Sequence, residues 1–193
     1  EVRFTNSWYD PVAEQTAAEA LIQNGAKLAS GHADSYGVPT ACKEQNVPNV
    51  FYNGTTEEDT FVIASKINWQ PYFELMLDGA MKGTEIPADY VGTLATGSVE
   101  ITALGKAAAE GTQAKLDEVK AKLMAGTLKV FDCSTFTVNG ANLTEYIADV
   151  IDVQGPTGST FEPDTNVIKT ENGVTYFDES AFRSAPYFDF IID

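Results

Sequence analysis

The sequence predicts an α/β protein built on a parallel sheet flanked by helices. Within the first sixty residues, three short apolar runs alternate with two segments of helical pattern, and the connections between them are short. Strands joined through a helix in this way pair in parallel by a right-handed crossover. Because parallel strands end at one edge of the sheet, we expect the loops that follow them to lie side by side.

A predicted strand around Val2 and Phe4 is followed almost directly by a predicted helix. Both residues alternate with polar neighbours, which is the period of a half-buried strand. Asp10 is a favourable helix cap, and Pro11 suits the first helical position because its missing N–H is not needed there. The loop between the two elements consists of Asn6, Ser7, Trp8 and Tyr9. In open α/β sheets, ligands bind at the loops that follow the carboxyl ends of the strands, which is the predicted position of this loop.

Two more strands and one helix complete the regular pattern. Residues 26–30 and 50–52 read as short apolar strands, and residues 38–45 read as a helix with Pro39 in its first turn. Asn24 and Gly25 supply the left-handed turn that ends the first helix. The three loops expected along one edge are residues 6–9, 31–35 and 53–55.

Beyond residue 60 the pattern is less regular. We predict strands at residues 61–65, 90–94, 99–101 and 128–131, and helices at residues 72–81 and 112–125. Asn139 and Gly140 predict a hairpin turn. Residues 149–175 are rich in Gly, Pro, Asp and Thr, and we expect them to form an ordered, extended insertion.

Charge and cysteine usage exclude several classes of protein. The 193 residues carry a formal net charge of −16, which argues against binding nucleic acid or anionic lipid. No apolar run is long enough to span a bilayer. Cys42 and Cys133 are in no metal-binding spacing, so we expect buried thiols, with a single bridge as the alternative. No basic, apolar signal region opens the chain, and we expect a mature or trimmed product that lacks an N-terminal part.

Aromatic and polar residues collect at the predicted strand ends. The aromatic residues are Trp8, Tyr9, Tyr52, Trp69 and Tyr72, and the polar ones beside them are Asn6, Asp34, Asn53 and Asn68. This mixture suits a flat polar ligand, which needs stacking faces and in-plane hydrogen-bond partners. Asp34 could bind sugar hydroxyls or could cap the second helix, a role that Ser35 could also fill. We expect no metal, no cofactor and no enzymatic activity, although a hydrolase acting through His32 and Asp34 stays open.

Several segments together resemble a known family. They are TNSWYDP, GHADS, INWQPYFELMLDG, KLDEVKAKLMAGTLKVF and the terminal FDESAFRSAPYFDF. The sequence is similar to the C-terminal half of the basic membrane protein family, bacterial lipoproteins of the purine nucleoside receptor A type that serve ABC importers. The resemblance implies a type I periplasmic-binding-protein fold with only part of the second lobe present. Residues 1–65 and 98–148 would form that lobe, residues 66–97 a crossover with part of the first lobe, and residues 149–193 an extended C-terminal tail.

The resemblance also implies a function and a site. It implies an extracytoplasmic solute-binding protein, anchored to the cell membrane as a lipoprotein, that closes over a purine nucleoside or base and docks on an ABC permease. Trp8 matches the family's base-stacking residue, and Asn53 stands where nucleoside receptors have an acidic ribose-binding residue. The resemblance also matches the loop of residues 32–35 to a ligand-contacting loop and a ribose-contacting lysine to a position near Lys66 or Ile67. Together with the polar residues at the predicted strand ends, the predicted ligand-binding residues are Asn6, Trp8, His32, Asp34, Asn53, Lys66 and Asn68. A small-molecule sensor domain, or a binding protein for a sugar or riboflavin-like ligand, stays open as an alternative.

Overall fold

The computed structural model describes residues 1–87, 90–152, 160–179, 181 and 192–193. The chain divides into two compact units. Unit 1 comprises Glu1–Leu75 and Gly92–Glu118, and unit 2 comprises Met76–Val91 and Val119–Asp193. The helices are α1 (Pro11–Gln23), α2 (Gly37–Gln45), α3 (Gln70–Lys82) and α4 (Thr112–Met124). The strands are β1 (Ala29–Ser30), β2 (Asn49–Tyr52), β3 (Phe61–Ile67), β4 (Val99–Ile101), β5 (Ile147–Asp152), β6 (Thr160–Asn166), β7 (Ile168–Glu171) and β8 (Val174–Phe177).

Unit 1 contains a four-stranded sheet in the order β1-β2-β3-β4. β1 pairs with β2 and β2 with β3 in parallel, whereas β4 runs antiparallel to β3. The predicted α/β class with a parallel sheet and helices is therefore confirmed. The antiparallel fourth strand was not anticipated, because the pattern of residues 99–101 does not encode the direction of pairing.

α1 begins where the sequence predicts, for a local reason. Asp10 caps the helix, since its Oδ1 accepts a hydrogen bond from the Ala13 N–H at 2.9 Å. In return, the Glu14 carboxylate accepts from the Asp10 N–H at 3.0 Å. Both bonds satisfy backbone donors that the first turn of a helix leaves free.

α1 and α2 approach each other closely at Gly37. A Cβ atom added there would lie 2.6 Å from the Pro11 carbonyl oxygen and 2.7 Å from the Glu14 Cβ. Beside this contact Ser35 and Glu14 are both buried, and the Ser35 hydroxyl donates to Glu14 Oε2 at 2.5 Å. This pair fixes the loop before α2 to the first turn of α1.

The strand expected around Val2 and Phe4 does not form, so this prediction is wrong. Val2 is 70% exposed and Phe4 is 71% exposed. Within the described residues, β1 is the outer strand of its sheet and pairs only with β2. An alternating pattern gives a segment one apolar face, but a strand also needs a neighbouring strand to accept its backbone hydrogen bonds.

Two other predicted strands are also absent. At residues 90–94, the chain bends around Thr93 and Thr96, whose hydroxyls accept each other's backbone N–H at 3.2 and 2.8 Å. Such side-chain bonds compete with a strand ladder. At residues 128–131, the one backbone hydrogen bond to β8 found among the described residues runs from the Phe177 N–H to the Phe131 carbonyl at 3.0 Å.

Unit 2 contains two antiparallel strand pairs, β5 with β6 and β7 with β8. These strands account for the described part of the expected extended insertion; residues 153–159 lie outside the description. The predicted turn at Asn139 and Gly140 is confirmed, with φ of 52° and 76° between the bridged Val138 and Ala141. The core of the unit contains Cys133, Val150, Val167, Ile168, Phe177 and Ala181. Cys42 and Cys133 are both buried free thiols, as expected.

Candidate functional site

The parallel strands of unit 1 bring several loops to one edge of the sheet. Residues 31–35 follow β1, residues 53–55 follow β2, and residue 68 follows β3. The loop of residues 6–9 joins this group because the Asp34 N–H donates to the Trp8 carbonyl oxygen at 2.9 Å. We call these residues together the loop edge.

Trp8 is the most exposed aromatic side chain described at the loop edge. It is 85% exposed, and its neighbour Tyr9 is also exposed. The loop turns sharply at Asn6, whose φ is 54°. The backbone of Trp8 is therefore fixed to the loop after β1, while its indole ring presents a flat apolar face to solvent.

His32 and Tyr52 form a second aromatic feature of the loop edge. Their ring centroids are 4.5 Å apart and the planes are inclined by 46°. The contact joins the loop after β1 to the end of β2, and it holds the imidazole in place while His32 stays exposed.

Asp34 keeps its carboxylate available for a ligand. The N-cap residue of α2 is Tyr36 and no side chain caps the helix, while the Ser35 hydroxyl oxygen accepts from the Gly37 N–H at 3.2 Å. No partner of the Asp34 carboxylate is found within the described residues, and the side chain is exposed. Of the two roles considered for Asp34, helix capping is excluded here.

Asn53 has a structural role that its sequence position did not reveal. It adopts a φ of 52°. Its N–H donates to the Ser65 carbonyl at 2.7 Å, and its Oδ1 accepts from the Ile67 N–H at 3.2 Å. The side-chain oxygen is therefore used to join β2 to β3, and the amide nitrogen is the part left for a ligand.

Asn68 is also engaged by the protein itself. Its Oδ1 accepts from the Gln70 N–H at 3.1 Å at the start of α3, and its Nδ2 donates to the Gly97 carbonyl at 3.0 Å. Trp69 follows, and its ring lies near Tyr72 at a centroid distance of 6.2 Å. Asn68 therefore orders this end of the loop edge.

Lys66 forms an ion pair with a residue outside the predicted site. Its ammonium group lies 2.9 Å from the Glu100 carboxylate of β4, opposite it in the strand register. Both side chains are partly exposed, and such a pair is opened at small cost.

A cavity of about 540 Å³ adjoins the loop edge, and we call it the N-terminal cavity. Asn6, Trp8 and His32 line it, so the structure brings three predicted site residues to one hollow. Its walls also include the buried Glu14, which the sequence analysis did not select. The sequence contained a signal for Glu14, because it follows the helix cap Asp10 by four residues and its carboxylate can therefore reach back to the Asp10 N–H.

Two further findings concern the described residues. They contain no group of three or more His, Cys, Asp or Glu that could hold a metal ion. None of the helices in that part of the chain is both long enough and apolar enough to cross a membrane.

Comparison with known proteins yields a structural similarity but no sequence match. No protein-family model matches the sequence, and no curated protein sequence matches it either. The structure is similar to that of an ABC transporter solute-binding protein from Conexibacter woesei DSM 14684, with 24% sequence identity and a TM-score of 0.55. The match covers 67% of this chain and 45% of that chain, so this chain corresponds to less than half of that protein. The similarity shows that the chain has a periplasmic-binding-protein-like α/β fold.

Proposed function

We propose that this chain is part of an extracytoplasmic solute-binding protein that delivers a small ligand to an ABC permease. The observation that carries the proposal is the gathering of Trp8, His32 and Asp34 at the loop edge, where parallel strands end. The similarity to a solute-binding protein supports it. A binding role without catalysis agrees with a site that offers recognition groups and no activated nucleophile among its described residues.

We further propose that the ligand is a flat polar molecule, with a purine nucleoside or base as the best candidate. The exposed indole of Trp8 provides a stacking face, and the free carboxylate of Asp34 accepts hydrogen bonds from ring N–H groups or sugar hydroxyls. His32, Asn6 and the amide nitrogen of Asn53 add polar partners around this face. Lys66 and Asn68 would contribute only if their present partners, Glu100 and Gly97, were exchanged for the ligand.

The resemblance to lipoproteins supports two further parts of the proposal, membrane anchoring and docking on a permease. Both belong to the whole protein, of which this chain corresponds to a part. Closure of two lobes over the ligand would present a surface that the permease recognises.

The test is calorimetric titration of the 193-residue chain with adenosine, inosine, adenine, ribose and riboflavin. We expect a purine to bind, and we expect Trp8→Ala to weaken that binding by about 1–3 kcal/mol, the scale of base stacking on an aromatic side chain. The matched control is Phe161→Ala, which removes an aromatic side chain that is 60% exposed on β6 in unit 2. It should leave the affinity unchanged.

Binding of ribose or riboflavin without purine binding would contradict the nucleoside proposal, but it would still support the proposal that the chain binds a small solute. Equal affinities of the wild type and Trp8→Ala for the bound compound would remove Trp8 from the site. Turnover of any of these compounds, lost in His32→Ala, would contradict the non-enzymatic proposal.

A further inference from the structure

The chain contains four Asn-Gly pairs, in which an amide side chain stands next to a glycine. They begin at Asn24, Asn53, Asn139 and Asn172. The backbone nitrogen of the glycine can attack the carbonyl carbon of the Asn side chain, because a glycine has no side chain that obstructs the approach. The attack needs the Asn side chain to turn over the glycine nitrogen, so a hydrogen bond that holds either group opposes it. The surroundings of each pair therefore decide how fast it reacts.

Hydrogen bonds hold both groups of the first pair. The Asn24 side chain donates to the Glu1 carboxylate at 3.0 Å. The Gly25 N–H donates to the Ile22 carbonyl at 2.9 Å, at the end of α1. A reaction at Asn24 therefore has to break two hydrogen bonds.

The second and third pairs are each held at one group. In the second pair, the Asn53 Oδ1 accepts from the Ile67 N–H at 3.2 Å. In the third pair, the Gly140 N–H, which follows Asn139, donates to the Asp193 carboxylate at 2.9 Å. One hydrogen bond has to break before either attack, which slows the reaction by about two- to tenfold for a bond of ordinary strength.

The fourth pair, Asn172 and Gly173, is held at neither group. It forms the turn between β7 and β8, where Glu171 pairs with Val174. Both turn residues have a positive φ, 53° and 82°, and both are exposed. Among the described residues, no hydrogen bond of the Asn172 side chain or of the Gly173 N–H is found. The glycine nitrogen therefore reaches the side-chain amide without displacing a protein group.

We propose that Asn172 is a site of selective, spontaneous deamidation. The Gly173 backbone nitrogen forms a bond to the Asn172 Cγ, and the side-chain nitrogen takes up the proton of the Gly173 N–H and leaves as ammonia. Water then opens the resulting cyclic imide at one of its carbonyls. Opening at one carbonyl gives aspartate, and opening at the other gives isoaspartate, in which the backbone runs through the former side chain. This proposal does not depend on which ligand the protein binds.

The isoaspartate product changes the hairpin that contains it. It adds a methylene group to the backbone of a tight turn, so Glu171 and Val174 no longer stand opposite each other. β7 and β8 also carry Ile168 and Phe177, which are buried in the core of unit 2. We therefore expect the modification to weaken unit 2.

Peptide mapping by mass spectrometry tests the selectivity, because all four pairs are present in one sample. The 193-residue chain is incubated at mildly alkaline pH, and the deamidated fraction of each peptide is measured over time. In the folded chain we expect Asn172 to react about two- to tenfold faster than Asn53 and Asn139, and Asn24 to be the slowest. In concentrated urea the protecting bonds are lost, and the four rates should agree within about twofold.

Asp193→Ala tests the protection at a second pair. It removes the acceptor of the Gly140 N–H, so deamidation at Asn139 should accelerate by about two- to tenfold. The rate at Asn172 should stay unchanged. Equal rates at Asn139 in this variant and in the wild type would contradict protection by the glycine hydrogen bond, and with it the ranking on which the proposal rests.

The stability of aged protein tests the consequence. Asn172→Gly removes the reactive side chain and tolerates the positive φ, and Asn139→Gly is the matched control at the protected turn. After the same incubation, the melting temperatures of the wild type and of Asn139→Gly should fall by about 2–5 °C. The melting temperature of Asn172→Gly should stay unchanged.

Two further outcomes overturn the proposal. One is a folded chain in which Asn24, Asn53 or Asn139 deamidates as fast as Asn172. The other is an aged Asn172→Gly variant whose melting temperature falls as far as that of the aged wild type, because the loss of stability would then have another origin.

Discussion

Two sets of aromatic side chains, one in each unit, differ sharply in exposure. In unit 2, Phe177 is 2% exposed and packs edge-to-face on Phe131 with ring centroids 5.9 Å apart. In unit 1, Trp8 is 85% exposed at the loop edge and Phe4 stands in solvent beside a cavity. Burying large aromatic surfaces is a main source of stability, so contiguous exposure of them marks surfaces on which something else packs. The comparison teaches that the Phe131–Phe177 pair helps to hold a core, whereas Trp8 and Phe4 present aromatic surface beside the candidate site.

The largest expected effect tests the core of unit 2. Phe177→Ala removes a buried ring and leaves a cavity, so the free energy of unfolding should fall by about 3–5 kcal/mol. Urea denaturation followed by circular dichroism measures it. Phe161→Ala, which removes an exposed ring of β6 in the same unit, should change the free energy by no more than about 0.5 kcal/mol. Similar losses in the two variants would show that the burial difference within unit 2 has no energetic consequence.

The second prediction, of intermediate size, compares two hydrogen bonds of the same type, one in each unit. The Ser35 hydroxyl donates to Glu14 inside unit 1, and the Ser134 hydroxyl donates to Asp132 at 2.7 Å on the surface of unit 2. Ser35→Ala leaves a buried carboxylate oxygen without its donor and should cost about 1–3 kcal/mol of unfolding free energy. Ser134→Ala should cost less, because water replaces the lost donor. A larger loss of unfolding free energy in Ser134→Ala than in Ser35→Ala would contradict a stabilising role of the buried Ser35–Glu14 hydrogen bond.

The smallest effect concerns the pH dependence of unit 2. Hydrogen bonds from Tyr176 and then Lys129 lower the pKa of the Glu171 carboxyl below its ordinary value of 4.5. A carboxyl whose folded-state pKa is lowered stabilises the fold above its unfolded value, and this contribution disappears as the pH falls through the folded value. Between pH 5 and pH 3, the Glu171→Gln variant should therefore lose slightly less unfolding free energy than the wild type. The difference should be far smaller than the Phe177→Ala effect, because the Lys129–Glu171 pair is exposed.

Urea denaturation at several pH values would measure this difference. Lys129→Met removes one of the partners that lower the Glu171 pKa, and it should reduce the acid sensitivity in the same direction. An acid sensitivity that is unchanged in both variants would contradict a stabilising role of this cluster, in which the Lys129 ammonium also lies 3.9 Å from the Tyr176 ring centroid.

Elements with local signals were predictable from the sequence. Asp10 and Pro11 start α1, Asn46 ends α2 in the left-handed conformation, and Asn139 with Gly140 forms a turn. Each of these features depends on the residue's own backbone preferences or on hydrogen bonds to near neighbours. The gathering of the loops after β1, β2 and β3 at one edge was also predictable, because it follows from parallel pairing. The loop of residues 6–9 instead joins them through the hydrogen bond from the Asp34 N–H to the Trp8 carbonyl.

Features that depend on distant partners were not predictable. The sequence does not reveal that the Asn53 side chain accepts a hydrogen bond from the Ile67 N–H. Nor does it reveal that the Asn68 side chain donates one to the Gly97 carbonyl. It also left open whether Asp34 or Ser35 caps α2; in the structure no side chain caps α2, and the Ser35 hydroxyl contacts the Gly37 N–H. The ligand-binding roles of the loop-edge residues remain predictions, since titration with candidate ligands is what tests them.

The sequence by itself determined the α/β class of this protein, its helices to within about two residues at each end and its strongly acidic charge, because these depend on composition, periodicity and contacts a few residues long. Only the tertiary structure decided which strands pair, which polar groups remain free for a ligand and where Val2 and Phe4 lie. The physical reason is that a strand, unlike a helix, makes its backbone hydrogen bonds with a partner far along the chain. The sequence pattern of the strand does not identify that partner.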